Sequence, residues 1–590
     1  MKKRKKQFIA LGLSFIMMVS MLAGCSLGNP DVSDTTGSNS DTSRTDAAGN
    51  SKEEGTSVEE EIEEVTLTVY IVSADENAMT GGIQTDPVAE YIREKTGVTL
   101  DITVMDTDKT SAIVASGDLY DLNILSSTDY IDPLIKTGAL ADLDDYLQYA
   151  PYLTENYSSL LAYSREYLSA DTGRLYILPE RAKSEASPVA TSQNGFFVRW
   201  DYYVEAGSPE INSEEDYLDL LETIQKNHPK TEDGKNAYAL ATFVDWGTFG
   251  FYWYNVYSKY KGLGNYGSLS TYSLKDLTFY DLYDDMNLYW QQANLLYKAN
   301  QRGILDPESF TQNHDTIIQK LSEGRLLSSP LQWEIGSISA ALDSGSSFVD
   351  IPFADTEEYP AWVDRISPFG YTARMVFVSS KCDDAKMKAI MRLLNFVYSE
   401  EGSRIIMNGV PDVNWTYDDN GSAIWVEEAL TKMQTEANYS SEQGMNKYLG
   451  MIGQDYDAFG ADGKFIDLRL QADYLSASLT DAEVAYCQHF GVDTPLEVLT
   501  RRTNKSTSNE AYSSLMPTDV PTNISRIVTA VENYLVQEIP GLVMSTDDAA
   551  YDAKLQEIRD GLAALEYDTV RDFYSEAFKQ SVAGWNAMNE

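Results

Sequence analysis

Cysteine and histidine are scarce in this chain, which limits the metal and redox chemistry that it can carry. The 590 residues include three cysteines and three histidines, and the histidines stand alone in the sequence. Neither a CxxC pair nor an HExxH segment occurs, so we expect no metal site and no cofactor. Cys382 and Cys487 are either unpaired or joined in a single disulfide.

Positive charge is also scarce. Lys and Arg number 45 against 91 Asp and Glu, which gives a formal net charge of −46. Nucleic-acid binding needs clustered basic residues, and no such cluster occurs after the first six residues, so we expect no nucleic-acid partner. The chain also lacks the GxxxxGK[ST] segment of ATP-binding loops and the GxSxG motif of serine hydrolases.

The first 25 residues have the features of a secretory signal. Five Lys and Arg side chains lie within residues 2–6, and residues 8–24 then run without a charge, which is short for a stable membrane span. The sequence Leu-Ala-Gly-Cys at 22–25 resembles the lipobox of bacterial lipoproteins. This resemblance implies a signal peptide over 1–24 and a lipid on Cys25. The alternative is an uncleaved membrane anchor with a chance cysteine.

A polar stretch follows the predicted lipidation site and runs over 25–64. It is rich in Ser, Thr, Asp, Gly and Glu and has almost no large apolar side chains. Such a segment buries too little apolar surface to offset its conformational entropy. We therefore expect a disordered tether that holds the rest of the chain away from the membrane.

A β-α-β unit is predicted where the tether ends. Residues 65–72 are apolar and rich in β-branched side chains, which predicts a buried strand. Asp86 and Pro87 are typical of a helix start. Further strands are predicted at 98–105 and 121–125. Successive β-α-β units build a parallel sheet, so the sequence indicates an α/β fold.

Six short segments share an order and spacing along the chain. They are ASGDLYDL at 115–122, LADLDDYL at 140–147, GRLYILP at 173–179, FVRWD at 197–201 with AG at 206–207, GR at 324–325, and NFVYSEEG at 395–402. Together they resemble the family 1 extracellular solute-binding proteins, and more narrowly the lipoprotein branch associated with carbohydrate uptake in Gram-positive bacteria. Tyr120 stands where the family usually has proline, and residues 411–590 match the family less well.

The resemblance implies a two-lobed α/β protein with the type II periplasmic-binding-protein fold, a hinge and a helical C-terminal region. Lobe 1 is expected at about 65–190 with a returning segment near 371–430, and lobe 2 at about 191–370 with part of 431–590. Such a protein closes on its ligand and delivers it to the permease subunits of an ABC transporter, whose ATPase is a separate subunit. We therefore expect a lipid-anchored monomer without enzymatic activity, at the extracellular face of the cell membrane.

Polar residues follow two of the predicted strands. Asp75 and Asn77 come after the first strand, and Ser127 and Asp129 come after the third. In open α/β sheets, ligands bind at the carboxyl ends of the strands, so these four side chains are candidate ligand contacts.

Aromatic residues are abundant, with 39 tyrosines and nine tryptophans. Aromatic rings stack on the apolar faces of sugars, while carboxylates, amides and guanidinium groups bond the hydroxyls. Trp246 and Trp253 lie in an aromatic loop, 245–255, that suits this role. Together with Phe249 they also have the i, i+3, i+7 spacing of a packed helix face, so a core role is the alternative.

Two further pairs are candidates because of their position. Trp333 and Glu334 follow a predicted strand, which directs them toward the cleft unless they pack in the core. Tyr371 and Arg374 lie near the expected crossover between the lobes, where hinge and ligand contacts mix. The adjacent pair at 180–181, glutamate and arginine, is interpreted as a surface ion pair.

Other classes of function stay open at this point. A surface-anchored glycoside hydrolase needs two carboxylates about 5–10 Å apart across a cleft, but a chain with 91 acidic residues always offers such a pair. A peptide-binding protein, or a sensor that serves a membrane histidine kinase, is the third possibility. We favour a receptor for a di- or oligosaccharide.

Overall fold

The computed structural model describes residues 62–71, 80–104, 107–125, 131–188, 194–245, 253–338, 342, 344–357, 362–436, 438–517 and 520–589. The predicted signal peptide, Cys25 and the tether up to residue 61 lie outside the described residues. Among the helices within these ranges, none has both the length and the hydropathy required to span a bilayer.

Strands and helices alternate along the first two thirds of the chain, and helices dominate the last third. The strands are β1 (Val65–Ile71), β2 (Gly82–Ile83), β3 (Val98–Val104), β4 (Leu122–Leu125), β5 (Ile177–Glu180), β6 (Lys183–Pro188), β7 (Asn194–Arg199), β8 (Leu263–Tyr266), β9 (Ser270–Ser273), β10 (Phe279–Tyr280), β11 (Ser328–Leu331), β12 (Phe348–Asp350), β13 (Trp362–Ser367), β14 (Tyr371–Val378), β15 (Trp415–Tyr417), β16 (Ala423–Trp425) and β17 (Lys505–Asn509). The helices are α1 (Pro87–Thr96), α2 (Thr107–Ser116), α3 (Ile131–Lys136), α4 (Pro151–Asn156), α5 (Ser158–Tyr167), α6 (Trp200–Glu205), α7 (Glu214–Asn227), α8 (Tyr254–Lys261), α9 (Leu288–Gln301), α10 (His314–Ser322), α11 (Gln332–Ile338), α12 (Asp384–Val397), α13 (Glu400–Asn408), α14 (Glu427–Thr435), α15 (Tyr439–Gln443), α16 (Ala472–Ala477), α17 (Asp481–Phe490), α18 (Pro495–Thr500), α19 (Ala511–Ser514), α20 (Thr522–Val543), α21 (Asp548–Ala564) and α22 (Tyr567–Asn589).

The first sheet has the strand order β2-β3-β1-β4-β14-β5. Strand β1 pairs in parallel with both β3 and β4, which confirms the predicted β-α-β unit. Helix α1 begins as the sequence indicates, because the Asp86 side chain accepts a hydrogen bond from the Ala89 N–H and Pro87 occupies the first turn. Strand β14 returns much later in the sequence and pairs antiparallel with β4 and β5.

A second core forms around the three-stranded sheet β11-β7-β12, in which both outer strands are antiparallel to β7. Helices α7, α8 and α9 pack their apolar side chains into this core. Buried side chains from the C-terminal helices α17, α20 and α21 join the same core.

A third sheet, β17-β13-β6, lies where the chain passes between these two parts. Strand β6 follows β5 of the first sheet and precedes β7 of the second. Strand β13 follows β12 of the second sheet and precedes β14 of the first. Because β6 and β13 are paired with each other, the two chain crossings lie side by side, which is the arrangement required of a hinge.

The C-terminal third is divided between the two cores. Buried side chains from Trp415 to Leu468 share a core with β1 and α12, whereas those within 482–498 and 524–570 share one with β7. The lobe boundaries stay a prediction, and this division places 431–468 beside the first sheet. Cys382 and Cys487 are both free cysteines, so they do not form the disulfide considered above.

Candidate ligand-binding site at the crossover

The two candidates Tyr371 and Arg374 lie beside Glu180 and Arg181, where β5 ends and β14 begins. Tyr371 is paired with Glu180, but Met375 is paired with Pro179, so three residues of β14 bulge outward at this point. Bulges of this kind redirect side chains and are common beside binding sites. Gly370, which precedes the bulge, has φ of 78°, and a Cβ there would lie 2.6 Å from the Glu180 carbonyl oxygen. Only glycine therefore fits between the two strands.

Glu180 is fully buried, with 0% of the residue exposed, so its interpretation as part of a surface ion pair was wrong. Its Oε1 atom lies 3.3 Å from Arg181 Nε and 3.5 Å from Arg374 Nη1. Its Oε2 atom has no hydrogen-bond partner among the described residues. Burial raises the pKa of this carboxyl to about 7, because desolvation outweighs the attraction of the two arginines.

Glu180 and Arg181 belong to a larger group of buried charges, which we call the crossover cluster. Arg365 on β13 donates hydrogen bonds to Asp455 at 2.6 Å and to Asp457 at 3.1 Å, and lies 3.3 Å from Glu510. Burial and the neighbouring Asp457 carboxylate raise the pKa of Asp455. The members of the crossover cluster are Glu180, Arg181, Lys183, Arg365, Arg374, Asp455, Asp457 and Glu510.

The fold is expected to lose stability as the pH rises through the range in which Glu180 ionises. An acid whose folded-state pKa is raised stabilises the fold fully below its unfolded pKa, here about 4.5, and that contribution is lost as the pH rises to about 7. A shift of this size corresponds to about 3 kcal/mol.

Unfolding by denaturant between pH 4.5 and 8 measures this loss. Glu180→Gln does not titrate at this position, so the difference in unfolding free energy between wild type and variant should change by about 3 kcal/mol over that range. Glu185→Gln, at an exposed position on the next strand, β6, is the matched control and should keep the wild-type slope. If the unfolding free energies of wild type and Glu180→Gln change with pH in parallel, Glu180 is not a buried group that ionises in this range.

Tyr371 offers an aromatic surface beside this cluster. The Arg181 guanidinium carbon lies 4.1 Å from the centroid of its ring and 5.4 Å from that of Tyr456. Tyr371 is nevertheless 38% exposed. A cation held against one side of the ring fixes its orientation and leaves other parts of it open to a ligand.

Trp333 and Glu334 begin helix α11 directly after β11. The Glu334 carboxylate is fully buried, accepts a hydrogen bond of 2.7 Å from Ser329, and lies 2.8 Å from His314 Nε2. These contacts anchor the start of the helix. The Trp333 ring is half-buried and lies 5.0 Å from the His314 ring, so Trp333 retains exposed surface whereas Glu334 does not.

Trp253 lies inside the second core and has 0% of its surface exposed. Its indole N–H donates a 2.9 Å hydrogen bond to the Ala241 carbonyl, and its backbone N–H donates to the Gln292 side chain at 2.8 Å. These are the contacts of a core residue, which is the alternative that the helical spacing of the aromatic loop suggested.

The remaining candidates lie outside the described residues: Asp75, Asn77, Ser127, Asp129 and Trp246. The strands that precede the first four are neighbours, because β1 and β4 run parallel with Ile71 paired to Ile124. Both strands therefore end at the same edge of the sheet, as the sequence-based placement of these ligand contacts requires. Their role stays a prediction.

Residues 88–418 match the model of the bacterial extracellular solute-binding protein family. The match covers more than half of the chain. The chain belongs to this family. The resemblance found in the sequence is thereby confirmed, and no curated protein sequence matches the chain.

Solved structures share the fold at low sequence identity. The ABC-transporter substrate-binding protein FusA of S. pneumoniae, in complex with kestose, has a TM-score of 0.56 and 13% identity over 88% of this chain and 100% of that one. An HMO-binding, ABC-transporter-associated solute-binding protein from Bifidobacterium longum infantis has a TM-score of 0.55 and 14% identity over 87% and 98%. The alginate-binding protein AlgQ2 has a TM-score of 0.53 and 16% identity over 88% and 98%. The predicted two-lobed α/β fold is confirmed.

Proposed function

We propose that this protein captures a di- or oligosaccharide outside the cell by closing its two lobes, and delivers it to the permease of an ABC transporter. The observation that carries the proposal is the arrangement at the crossover: the exposed Tyr371 ring lies against Arg181, and the adjacent Glu180 has a carboxylate oxygen without a hydrogen-bond partner among the described residues. Membership of the solute-binding family supports capture without catalysis.

The crossover has the two kinds of group that sugar recognition needs. A pyranose ring presents an apolar face of C–H groups, which packs against an aromatic ring such as Tyr371. Its hydroxyls form hydrogen bonds with charged planar groups, which Glu180 and Arg374 supply on the neighbouring strands. Trp333, half-buried at the start of α11, is a second aromatic contact on the part of the chain built around β7.

Lobe closure follows from the position of the crossing strands. Strands β6 and β13 carry two of the connections between the cores and also carry Lys183 and Arg365 of the crossover cluster. A ligand that contacts Tyr371 on one side and Trp333 on the other binds the closed arrangement better than the open one. That difference in affinity shifts the population toward closure.

The solved structures with the same fold agree with a carbohydrate ligand. One is a complex with kestose, and others are described as binding HMO or alginate. The neighbours described as belonging to ABC transporters also support delivery to a permease, with the ATPase on a separate subunit.

Tyr371→Ala is expected to weaken oligosaccharide binding at least tenfold, equivalent to about 1.4 kcal/mol, because it removes the aromatic surface at the crossover. Titration calorimetry with the best-binding sugar of a panel measures the change. Tyr417→Ala, at a tyrosine that is 52% exposed on β15, is the matched control and should bind like wild type. Equal affinities for wild type and Tyr371→Ala would contradict a binding role for the crossover.

The N-terminal sequence supports an anchor for this receptor, with the signal peptide removed and a lipid on Cys25. Cys25→Ala is expected to abolish metabolic labelling by a fatty acid and to leave unprocessed precursor or released protein, since no other thiol lies in the lipobox. Cys382→Ala is the control and should label normally. Labelling of Cys25→Ala at the wild-type level would contradict the anchor.

A further inference from the structure

We propose that the carbohydrate bound at the crossover is uncharged: a neutral di- or oligosaccharide, and not one that carries carboxylate or sulfate groups. This inference rests on the proposed function and adds the charge of the ligand to it. The fold alone does not decide that charge, because one structure with this fold is an alginate-binding protein, and alginate is a polymer of uronates.

The crossover cluster is electrically balanced, with four basic side chains and four carboxylates. Each basic group lies near a carboxylate oxygen of the cluster: Arg181 at 3.3 Å and Arg374 at 3.5 Å from Glu180, Lys183 at 2.8 Å from Asp457, and Arg365 at 2.6 Å from Asp455. An anionic ligand could pair with one of these cations only by separating it from its internal partner. The carboxylate left behind would then be buried with less compensation, which is unfavourable.

The unsatisfied atoms of the cluster match hydroxyl groups better than anions. Among the described residues, Glu180 Oε2 and Asp455 Oδ1 accept no hydrogen bond, and Arg181 Nε and Arg365 Nε donate none. A sugar hydroxyl both donates and accepts, so it satisfies either kind of atom. An ionised carboxylate or sulfate only accepts, so it leaves both carboxylate oxygens unsatisfied and adds repulsion. These atoms are buried in the structure. On this proposal, a ligand reaches them only after the lobes have opened.

Desolvation at the crossover opposes additional negative charge. Burial raises the pKa of both Glu180 and Asp455, which means that their ionised forms are costly at this position. The chain as a whole carries a formal charge of −46, so an anionic sugar is also repelled during approach.

The test compares matched pairs of neutral and acidic oligosaccharides with the chain from Ser26 onward. Suitable pairs are galacto-oligosaccharides with oligogalacturonates, and xylo-oligosaccharides with their glucuronate-bearing forms. Calorimetry should show that the neutral member of a pair binds at least thirtyfold more tightly than the acidic member. Equal or tighter binding of the acidic member would overturn this inference while leaving the carbohydrate function intact. Binding of no saccharide at all would overturn the proposed function and this inference with it.

Two isosteric variants test whether the crossover cluster causes the preference for neutral over acidic oligosaccharides. At pH 8, where Glu180 is ionised, Glu180→Gln leaves the cluster with one uncompensated positive charge, so the preference for the neutral member should fall at least tenfold. Glu185→Gln makes the same change in net charge at an exposed position on the next strand, β6, and should leave the preference unchanged. If Glu180→Gln does not fold, Asp457→Asn makes the same change in the charge of the cluster. An unchanged preference in the cluster variant, or an equal fall in both variants, would contradict the inference.

Discussion

Replacing Trp253 by alanine is expected to lower the free energy of unfolding by about 3–5 kcal/mol, the usual cost of removing a fully buried large aromatic side chain. The Trp253 residue has 0% of its surface exposed, and its ring also contacts Phe196 in the second core, with centroids 6.3 Å apart. Its removal leaves a cavity and an Ala241 carbonyl without its indole donor. Chemical denaturation measures the loss.

The same variant separates the two roles that the aromatic loop could have. Under the core interpretation, sugar affinity measured below the melting temperature stays close to wild type, whereas stability falls steeply. Tyr417→Ala removes an exposed aromatic side chain and should cost less than about 0.5 kcal/mol. A Trp253→Ala protein with wild-type stability but tenfold weaker sugar binding would show that Trp253 contacts the ligand.

Arg365→Met is expected to cost about 3–5 kcal/mol of stability, because it removes one side of a buried ion pair and leaves the other in place. Asp455 and Asp457 are each 2% exposed, and both accept hydrogen bonds from this guanidinium group. Without it, the two carboxylates face each other with less compensation. Equilibrium unfolding at pH 8 compares the variant with wild type.

The pH dependence of this loss identifies its cause. The pKa of Asp455 is already raised by burial and by Asp457, and removal of Arg365 raises it further. An acid with a raised pKa loses its stabilising contribution as the pH rises, so the deficit of Arg365→Met should be smallest near pH 4 and largest at pH 8.

An exposed arginine provides the control for Arg365. Arg501 pairs with Glu497 at 2.9 Å, but its side chain is 55% exposed. Arg501→Met should therefore cost less than about 1 kcal/mol at every pH. A deficit of Arg365→Met that does not vary with pH would indicate lost packing and not an uncompensated carboxylate.

The first sheet could be predicted from the sequence because its signals are local. The apolar run at 65–72 and the capping residues Asp86 and Pro87 define β1 and α1 without reference to the rest of the chain. Helix α12, from Asp384 to Val397, has a local signal of the same kind, because its buried apolar side chains recur at helical spacing. Local sequence fixes such elements wherever propensity, capping and burial agree.

The crossover cluster could not be predicted in the same way, since its members are distant in sequence. Glu180 lies close to Arg374 only because β14 returns to pair with β5. A glutamate and an arginine at the end of a strand give no local sign of whether they will be buried, so the interpretation as a surface pair was wrong. For Trp253, spacing indicated one helix face, but only the tertiary structure shows that this face is in the core.

Carbohydrate capture is tested by thermal melting of the chain from Ser26 onward in the presence of mono-, di- and oligosaccharides. A ligand that binds only the folded state raises the melting temperature. A receptor of this kind should show a dose-dependent rise with one class of neutral oligosaccharide, and that sugar should be recovered intact after incubation. No shift with any saccharide, or cleavage of the sugar that binds, would contradict this prediction.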